Sequence, residues 1–216
     1  MIKVIIFDLD GLLIDSEPLQ YRAVSQAFSE KGFPLTKADW YEWLHKKIGY
    51  KGWIELKNLP LVSEEIRARK KEIYDNLIET EMELKLGARE LIDLVHGKYR
   101  LAIASGSRIE SIELCLDKFN LLSKFEHLIT DQKNGLPKPH PDVFLHAAKV
   151  MNVEPEECLV FEDSLAGLQA AKTAGMKCIV CPDTFIPVDS ALYANAAKIV
   201  ENLGEVTLED IDILGK

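Results

Sequence analysis

The amino-acid sequence predicts an α/β protein with a doubly wound parallel sheet and a helical module inserted after the first strand. Strand-like and helix-like segments alternate over most of the chain, as they do when helices connect the strands of a parallel sheet. The first strand-like run, Val4–Phe7, is continuously apolar, as expected of a strand buried on both faces. Residues 15–83 contain helix-like segments and no convincing strand, which predicts a separate helical unit.

The alternation can be assigned segment by segment. Six apolar runs are predicted to form the sheet: Val4–Phe7, 101–104, His127–Thr130, 159–161, 178–181 and 197–200. Helices are predicted between most of them, at 88–96, 109–118, 141–151 and 165–174. The last of these helices follows Ser164, a good N-cap, and ends before Gly175, a good C-cap.

The helical module is assigned to residues 15–83, and the sheet domain to residues 1–14 and 84–216. Apolar residues spaced three to four positions apart predict three helices in the module, at 21–31, 37–46 and 64–82. Because the module directly follows the first strand, it is predicted to be a mobile cap over the end of that strand. An extra packed layer of helices is the alternative.

Composition excludes several classes of protein. The chain has 216 residues and a formal net charge of −9, which argues against a nucleic-acid-binding surface. It has no run of about 18 apolar residues, the length that predicts a membrane-spanning helix. Only Met1-Ile2-Lys3 precedes the first strand, so no signal peptide is expected and the protein is predicted to be cytoplasmic.

Four cysteines occur, and two of them have C-x-x-C spacing, at Cys178 and Cys181. This spacing can indicate redox chemistry or half of a metal site. The two cysteines fall on a predicted strand, however, where residues three apart face opposite sides. Buried structural thiols in a reducing compartment are therefore predicted.

The first candidate for chemistry is the pair of aspartates that follows the first strand, Asp8 and Asp10, with Gly11 next. Ligands of open α/β sheets bind at the carboxyl ends of the strands. One carboxylate there can attack phosphorus to form an aspartyl-phosphate, and a second can act as general acid and base. Mg²⁺ would relieve the repulsion between these anions and a phosphate. An acidic turn without chemistry is the alternative.

The second candidate is the segment after the predicted second strand, which begins with Ser105 and Gly106. A hydroxyl followed by small residues at the start of a helix can present Oγ and backbone N–H groups to a phosphate. A serine that only caps the helix is the alternative.

The third candidate is Lys138, which stands among three prolines in residues 134–141. Because prolines restrict the backbone, the lysine would be presented from a stiff loop. A fixed ammonium group could balance the charge of Asp8 and of a transferring phosphoryl group. A solvated surface lysine is the alternative.

The fourth candidate is the acidic pair Glu162 and Asp163, at the end of another buried strand. If this strand lies beside the first one, its carboxylates converge with Asp8 and can supply oxygen ligands to a hard cation. An acidic region favoured by the helix dipole is the alternative.

Taken in order, these segments resemble the four motifs of the haloacid dehalogenase superfamily of phosphohydrolases. The chain is most similar to the branch that contains β-phosphoglucomutase and many sugar phosphatases. The longer motifs that support this branch run through 15–17, 138–144 and 162–176. The resemblance covers the whole chain and implies a Rossmann-like core with a helical cap inserted after the first motif.

The resemblance implies a role for each of these residues. Asp8 would be the nucleophile, and Asp10 the acid and base, with its backbone carbonyl on Mg²⁺. Asp163 would complete the metal site, with Glu162 close by or bound through water. Gly11 would let the chain turn beside the nucleophile.

The remaining motifs would bind the phosphate. Ser105 would hold a phosphate oxygen, with the segment through Gly106 offering further donors, and Lys138 would neutralise the nucleophile and the phosphoryl group. Gly11 belongs to the same predicted phosphate-binding set.

Departures from the family distinguish between its reactions. Mutases of this branch carry a histidine where Gln20 stands and a cap arginine where Gly52 stands, with Lys51 adjacent. The sequence therefore predicts a Mg²⁺-dependent phosphatase acting on a small phosphorylated metabolite, a sugar phosphate or a nucleotide-like phosphomonoester. A phosphosugar mutase is one alternative, and a non-catalytic binding or regulatory protein is another.

The cap residues form no pattern that predicts the substrate. Five side chains are candidates to line the entrance of the site: Tyr21, Lys47, Tyr50, Lys51 and Trp53. The resemblance implies a monomer.

Overall fold

The computed structural model describes residues 1–46, 48–132, 135–185 and 188–216. Within these residues six strands form one sheet: β1 (Val4–Phe7), β2 (Arg100–Ser105), β3 (His127–Thr130), β4 (Cys158–Glu162), β5 (Lys177–Val180) and β6 (Lys198–Ile199). Their order is β3-β2-β1-β4-β5-β6, and every neighbouring pair is parallel. The predicted parallel doubly wound α/β fold is confirmed.

Nine α-helices are present in the described part of the chain. They are α1 (Glu17–Ser29), α2 (Lys37–Lys46), α3 (Gly49–Leu56), α4 (Ser63–Glu81), α5 (Ala88–Val95), α6 (Ile109–Lys118), α7 (Asp142–Val150), α8 (Leu165–Thr173) and α9 (Leu208–Leu214). None of the helices among the described residues has the length and apolarity that crossing a membrane requires.

Two helices were not predicted. The first, α3, has only eight residues and contains two glycines, which are poor helix formers. The other, α9, follows its N-cap Thr207, whose hydroxyl accepts the N–H of Asp210 while the Asp210 carboxylate accepts the N–H of Thr207. This capping box is a signal that the sequence does contain.

The contacts of the chain divide it into two compact units, Met1–Asp15 with Glu83–Lys216, and Ser16–Met82. We call them the sheet unit and the helical unit. In the sheet unit every residue of β1 and β4 is buried, because helices and loops cover both faces of the central strands. Phe144 of α7 and Leu168 of α8 pack with Ile6 and Val160 in one apolar cluster.

The helical unit has an aromatic core. The indole of Trp43 stacks on that of Trp53, with the ring centroids 5.7 Å apart. The same indole meets the rings of Phe28, Trp40 and Tyr50 edge-on, at 5.8, 5.8 and 4.9 Å. Aromatic pairs of this kind bury much apolar area in preferred geometries, so they stabilise a small helical unit effectively.

All four cysteines are buried and none forms a disulfide. This confirms the prediction of buried thiols. The strand predicted at 178–181 begins one residue earlier and ends at Val180, so Cys181 lies just beyond β5.

Candidate active site

The sheet topology brings the candidate residues to one edge. Strand β1 lies between β2 and β4, and all three run in the same direction. Asp8 directly follows β1, Ser105 is the last residue of β2, and Glu162 is the last residue of β4. Their side chains therefore meet at the carboxyl ends of three neighbouring strands, where open α/β sheets bind their ligands.

Lys138 joins two of these strand ends. Its Nζ lies 2.5 Å from Oδ1 of Asp8 and 2.5 Å from Oε1 of Glu162, and it donates to the carbonyl of Ala104 at 3.0 Å. The side chain of Lys138 is only 11% exposed. The ammonium group thus contacts three oxygen atoms, those of Asp8 after β1, Ala104 in β2 and Glu162 in β4.

Glu162 is completely buried, and both of its carboxylate oxygens have partners. Oε1 binds Lys138, while Oε2 accepts the N–H groups of Asp163 and Ser164 and the hydroxyl of Ser164, at 3.0–3.1 Å. A Cβ at Gly167 would overlap the Glu162 carboxyl group, so α8 can approach only because residue 167 is glycine. These contacts make Glu162 a fixed anion whose oxygens are occupied by the chain.

Asp10 is held by two hydroxyl groups. Ser107 Oγ donates to Asp10 Oδ2 at 2.6 Å, and Ser105 Oγ lies 3.3 Å from the same oxygen. The N–H of Ser107 donates to Ser105 Oγ at 2.9 Å, and Thr130 Oγ1 donates to the carbonyl of Ser107 at 2.7 Å. Ser107 was not predicted to belong to the site. Its position two residues after Ser105, in the turn that follows the predicted strand, could have identified it.

Gly11 and Asp163 are neighbours. Gly11 has a φ of +80°, which disfavours other residues, and a Cβ there would overlap the Asp163 carboxylate. The N–H of Gly11 donates to the carbonyl of Ile14 at 3.0 Å and closes the turn after Asp10. Glycine at this position therefore lets Asp163 approach the turn that carries Asp10.

Gly106 lies on the exposed side of the site. Its carbonyl accepts the side-chain amide of Gln132 at 3.1 Å. A backbone turn held in this way follows Ser105 directly and leads into α6.

Burial and crowding of charges set the protonation of the site. Burial, together with the charges of Glu162 and Asp10, raises the pKa of Asp8 to about 8, against the opposing effect of Lys138. Burial and the charges of Glu162 and Asp8 also raise the pKa of Asp163 well above its usual range. Burial lowers the pKa of Lys138, but the charges of Asp8 and Glu162 outweigh it and raise that pKa overall, so the ammonium stays protonated.

The donor set fits a hard divalent cation. Three carboxyl groups, those of Asp8, Glu162 and Asp163, lie near the ammonium group of Lys138. The site would carry excess negative charge if all three were ionised, and this repulsion adds to burial in raising the pKa of Asp8 and Asp163. Over the described ranges, no group of three or more His, Cys, Asp or Glu side chains is arranged to hold a metal ion. Mg²⁺ takes one or two carboxylates and fills its remaining positions with other oxygens and water, so carboxylate oxygens of the kind that Asp8 and Asp163 offer are ligands of the type it binds.

The candidate cap residues mostly take part in packing within the helical unit. Tyr50 and Trp53 belong to the aromatic core, and the Tyr21 hydroxyl donates to the carbonyl of Leu35 at 3.5 Å. Lys51 is exposed and lies 3.9 Å from Glu55. Lys47 lies outside the described residues.

Comparisons with known proteins find relatives that are named as phosphatases. The chain is 34% identical to the phosphorylated carbohydrates phosphatase of Thermotoga maritima, over 81% of this chain and 82% of that protein. It is 31% identical to hexitol phosphatase B of Escherichia coli K12, over 95% of both chains. The crystal structure of CbbY from Rhodobacter sphaeroides in complex with phosphate superposes with a TM-score of 0.84 at 29% identity, covering 98% of this chain and 100% of that one.

A family model supplies the assignment. The model of the haloacid dehalogenase-like hydrolases matches residues 2–175, which include every candidate site residue of the four motifs. The resemblance predicted from the motifs is therefore confirmed, and the chain belongs to the haloacid dehalogenase-like hydrolase family.

Proposed function

We propose that this protein is a Mg²⁺-dependent phosphatase that hydrolyses a small phosphorylated carbohydrate through an aspartyl-phosphate intermediate. The observation that carries the proposal is the buried Asp8 carboxylate, paired with Lys138 at the meeting point of three strand ends. The named activities of the Thermotoga and Escherichia relatives support a phosphorylated carbohydrate as the substrate class.

Asp8 is the proposed nucleophile. Lys138, 2.5 Å from its Oδ1, supports the ionised form that attack requires. The other oxygen of Asp8 attacks phosphorus in line, the bond from phosphorus to the substrate oxygen breaks, and an aspartyl-phosphate forms. Lys138 also balances the negative charge that the phosphoryl group carries during transfer.

Asp10 is the proposed general acid and base. It first gives a proton to the departing alcohol oxygen and then takes a proton from the water that attacks the aspartyl-phosphate. That second attack releases inorganic phosphate and restores the carboxylate of Asp8. The hydroxyl of Ser107 holds Asp10 by one oxygen, which leaves the other oxygen for proton transfer and the Ser105 hydroxyl for the phosphate.

The phosphate itself would be bound at the end of β2. We assign its oxygens to the Ser105 hydroxyl, the backbone at Gly106 and the ammonium group of Lys138. The turn at Gly11 brings the chain close beside them without a side chain in the way.

The proposed metal ligands are the carboxylates of Asp8 and Asp163 and the backbone carbonyl of Asp10. When bound, Mg²⁺ would neutralise the excess negative charge of the site and of the phosphoryl group. Glu162 belongs to the predicted metal set, but its oxygens already have protein partners. We therefore assign Glu162 to holding Lys138 in place.

A phosphosugar mutase is less well supported than a phosphatase. Gln20 occupies the position of the family histidine and accepts a hydrogen bond from Lys70 within the helical unit. At Gly52, where mutases carry an arginine, a Cβ would lie 2.7 Å from the Cβ of Ile48, so a side chain there would require a shift. A purely binding or regulatory protein is a weaker alternative, because the complete set of motif residues is kept.

The cap predicted at residues 15–83, whose compact part is the helical unit Ser16–Met82, is proposed to select the substrate. A monomer in the cytoplasm also stays a prediction.

Phosphate release tests the proposal. A panel of sugar phosphates, sugar alcohol phosphates and nucleotides is incubated with the protein, with Mg²⁺ or with a chelator, and with Asp8→Asn as the control. Release that requires both Mg²⁺ and Asp8 supports the phosphatase. Conversion of sugar 1-phosphates in the presence of a bisphosphate primer, without phosphate release, would instead establish a mutase.

A further inference from the structure

In the described residues 135–141, the loop that carries Lys138 reaches the strand ends through the Lys138 ammonium group. It leads into α7, and the Leu136 side chain within it is 54% exposed, so burial of apolar side chains does not hold this part of the loop. Within the loop, the N–H of His140 donates to the carbonyl of Pro137 at 3.0 Å, a contact that does not reach the rest of the protein. The ammonium contacts hold only the tip of the Lys138 side chain, and the backbone of the loop that presents it has a further contact.

Asp142, the first residue of α7, connects the loop to the helix that follows it. Its Oδ2 accepts the N–H of Leu136 at 2.8 Å. Gly135 has a φ of +120°, and a Cβ there would overlap the Asp142 carboxylate, so the chain lies directly against this side chain. The hydrogen bond closes an arc from 136 to 142 with Lys138 near its middle.

The start of α7, to which the loop is bonded, is packed in the core of the sheet unit. Val143 and Phe144, which follow Asp142, are completely buried in the apolar cluster under the sheet. The carboxylate of Asp142 also lies in the first turn of α7, where the helix dipole favours a negative charge. A loop bonded to Asp142 is thus bonded to the core.

We propose that Asp142 is a positioning residue for Lys138: by accepting the Leu136 N–H, it fixes the loop so that the ammonium group reaches Asp8 and Glu162. This inference rests on the proposed function, since it concerns the lysine assigned to phosphoryl transfer. Asp142 acts only through the loop and has no part in bonding to the substrate.

Loss of the hydrogen bond should displace Lys138. Asp142→Ala leaves the Leu136 N–H without its acceptor and removes the link between loop and helix. A displacement of about 1 Å at a catalytic group can lower turnover by about 10²-fold. Asp142→Asn keeps an oxygen that can accept the same N–H, so it should restore most of the turnover.

Kinetics of five variants, including Lys138→Ala alone and combined with Asp142→Ala, test the inference. We expect Asp142→Ala to lower kcat by about 10–10²-fold, with Asp142→Asn close to wild type. Asp142→Ala should cause no further loss when Lys138 is already alanine, because both changes remove the same contribution. Asp189→Ala is the matched control, because Asp189 also accepts a backbone N–H, that of Ala191 at 2.9 Å, on another loop.

Amine labelling provides a readout that does not need turnover. The folded protein is treated briefly with an amine-reactive ester, and the modification of Lys138 is measured by peptide mass spectrometry. The buried ammonium group should react slowly in the wild type and in Asp189→Ala, and at least severalfold faster in Asp142→Ala.

Three results would overturn the inference: unchanged kcat and labelling in Asp142→Ala, failure of Asp142→Asn to restore kcat, or a full additional loss in the Lys138→Ala background. If the wild type released phosphate from no substrate, the proposed function would fail. The labelling rates would still decide whether Asp142 positions Lys138.

Discussion

Two lysines in different units have the same kind of partners and different surroundings. Lys138 in the sheet unit lies 2.5 Å from Asp8 and 2.5 Å from Glu162, with its Nζ 4.9 Å from the centre of the Phe144 ring. Lys57 in the helical unit lies 3.3 Å from Asp39 and 3.0 Å from Glu42, with its Nζ 4.5 Å from the Trp53 ring. Each is a cation between two carboxylates and beside an aromatic ring.

Burial distinguishes the two. The Lys138 side chain is 11% exposed, and that of Lys57 is 35% exposed. Water screens the contacts of Lys57, so they contribute little to stability. Charges as buried as those around Lys138 are expensive to desolvate, and their attraction rarely stabilises the fold more than apolar packing would. Their presence at the strand ends agrees with the catalytic role that we propose for them.

The largest expected effect is on turnover. Asp8→Asn removes the nucleophile and should lower kcat by on the order of 10⁴-fold or more, with the fold retained. Asp39→Asn, which changes the corresponding carboxylate beside Lys57, should leave the protein active. Phosphate release and circular dichroism measure the two properties. Normal turnover in Asp8→Asn would remove the basis for the proposed mechanism.

The second prediction concerns Asp10. Asp10→Asn keeps the shape of the side chain and its bond to Ser107 but cannot transfer a proton. We expect kcat to fall by about 10²–10⁴-fold, the usual range for loss of a general acid and base. Single-turnover and steady-state phosphate release measure it. A fall of less than tenfold would mean that another group or water supplies the proton.

The third prediction compares the two lysines by stability. Lys138→Met leaves the Asp8 and Glu162 carboxylates buried without their cation and should lower the free energy of unfolding by about 3–5 kcal/mol. Lys57→Met, the matched change at an exposed site, should have a much smaller effect. Urea denaturation of both variants without Mg²⁺ gives the difference. Equal effects would show that burial does not separate the two lysines.

The fourth prediction concerns what stabilises the helical unit. Since its charges are largely exposed, its stability should depend on the aromatic core around Trp43. Trp43→Ala should lower the free energy of unfolding by about 3–5 kcal/mol, as truncation of a large buried side chain usually does. Thermal denaturation measures the loss, and a change below about 1 kcal/mol would contradict it.

The smallest expected effect is at Asp210, a partly exposed carboxylate of the sheet unit. The hydrogen bond from Lys198, with help from Thr207, lowers its pKa to about 2. Because the folded pKa is lowered, Asp210 contributes stability above its usual pKa of about 4, and this contribution is lost as the pH falls towards 2. Asp210→Asn should therefore lower stability at pH 7 by at most about 1 kcal/mol.

Denaturation at several pH values checks this prediction. The difference between wild type and Asp210→Asn should shrink as the pH falls from neutrality to about 2. A difference that stayed constant with pH would assign the effect to the helix cap rather than to the charge. A small effect here would show that the contribution of a charge to the free energy of unfolding depends on its burial and not on whether it lies in the sheet unit.

Much of the fold could be predicted because local patterns reflect it directly. Continuous apolar runs mark β1 and β4, and the caps at Ser164 and Gly175 bound α8 closely. The strand predicted at 197–200 spans only Lys198–Ile199 in β6, and α3, which contains two glycines, was not predicted. Their limits depend on the neighbours that they pair or pack with.

The sequence by itself determined which groups the site contains. Acids after two buried strands, a serine after a third and a lysine in a proline-rich loop identified Asp8, Asp10, Ser105, Lys138 and Asp163, since chemistry of this kind needs those residue types at strand ends.

Only the tertiary structure decided how these groups are paired. The bond from Ser107 to Asp10, the occupied oxygens of Glu162 and the contact of Asp142 with Leu136 join residues through loop conformation. The spacing of apolar residues along the sequence predicts which faces of the helices and strands are buried. It does not report which oxygen of a carboxylate a donor reaches, because that depends on distances set by the packing of the whole sheet unit.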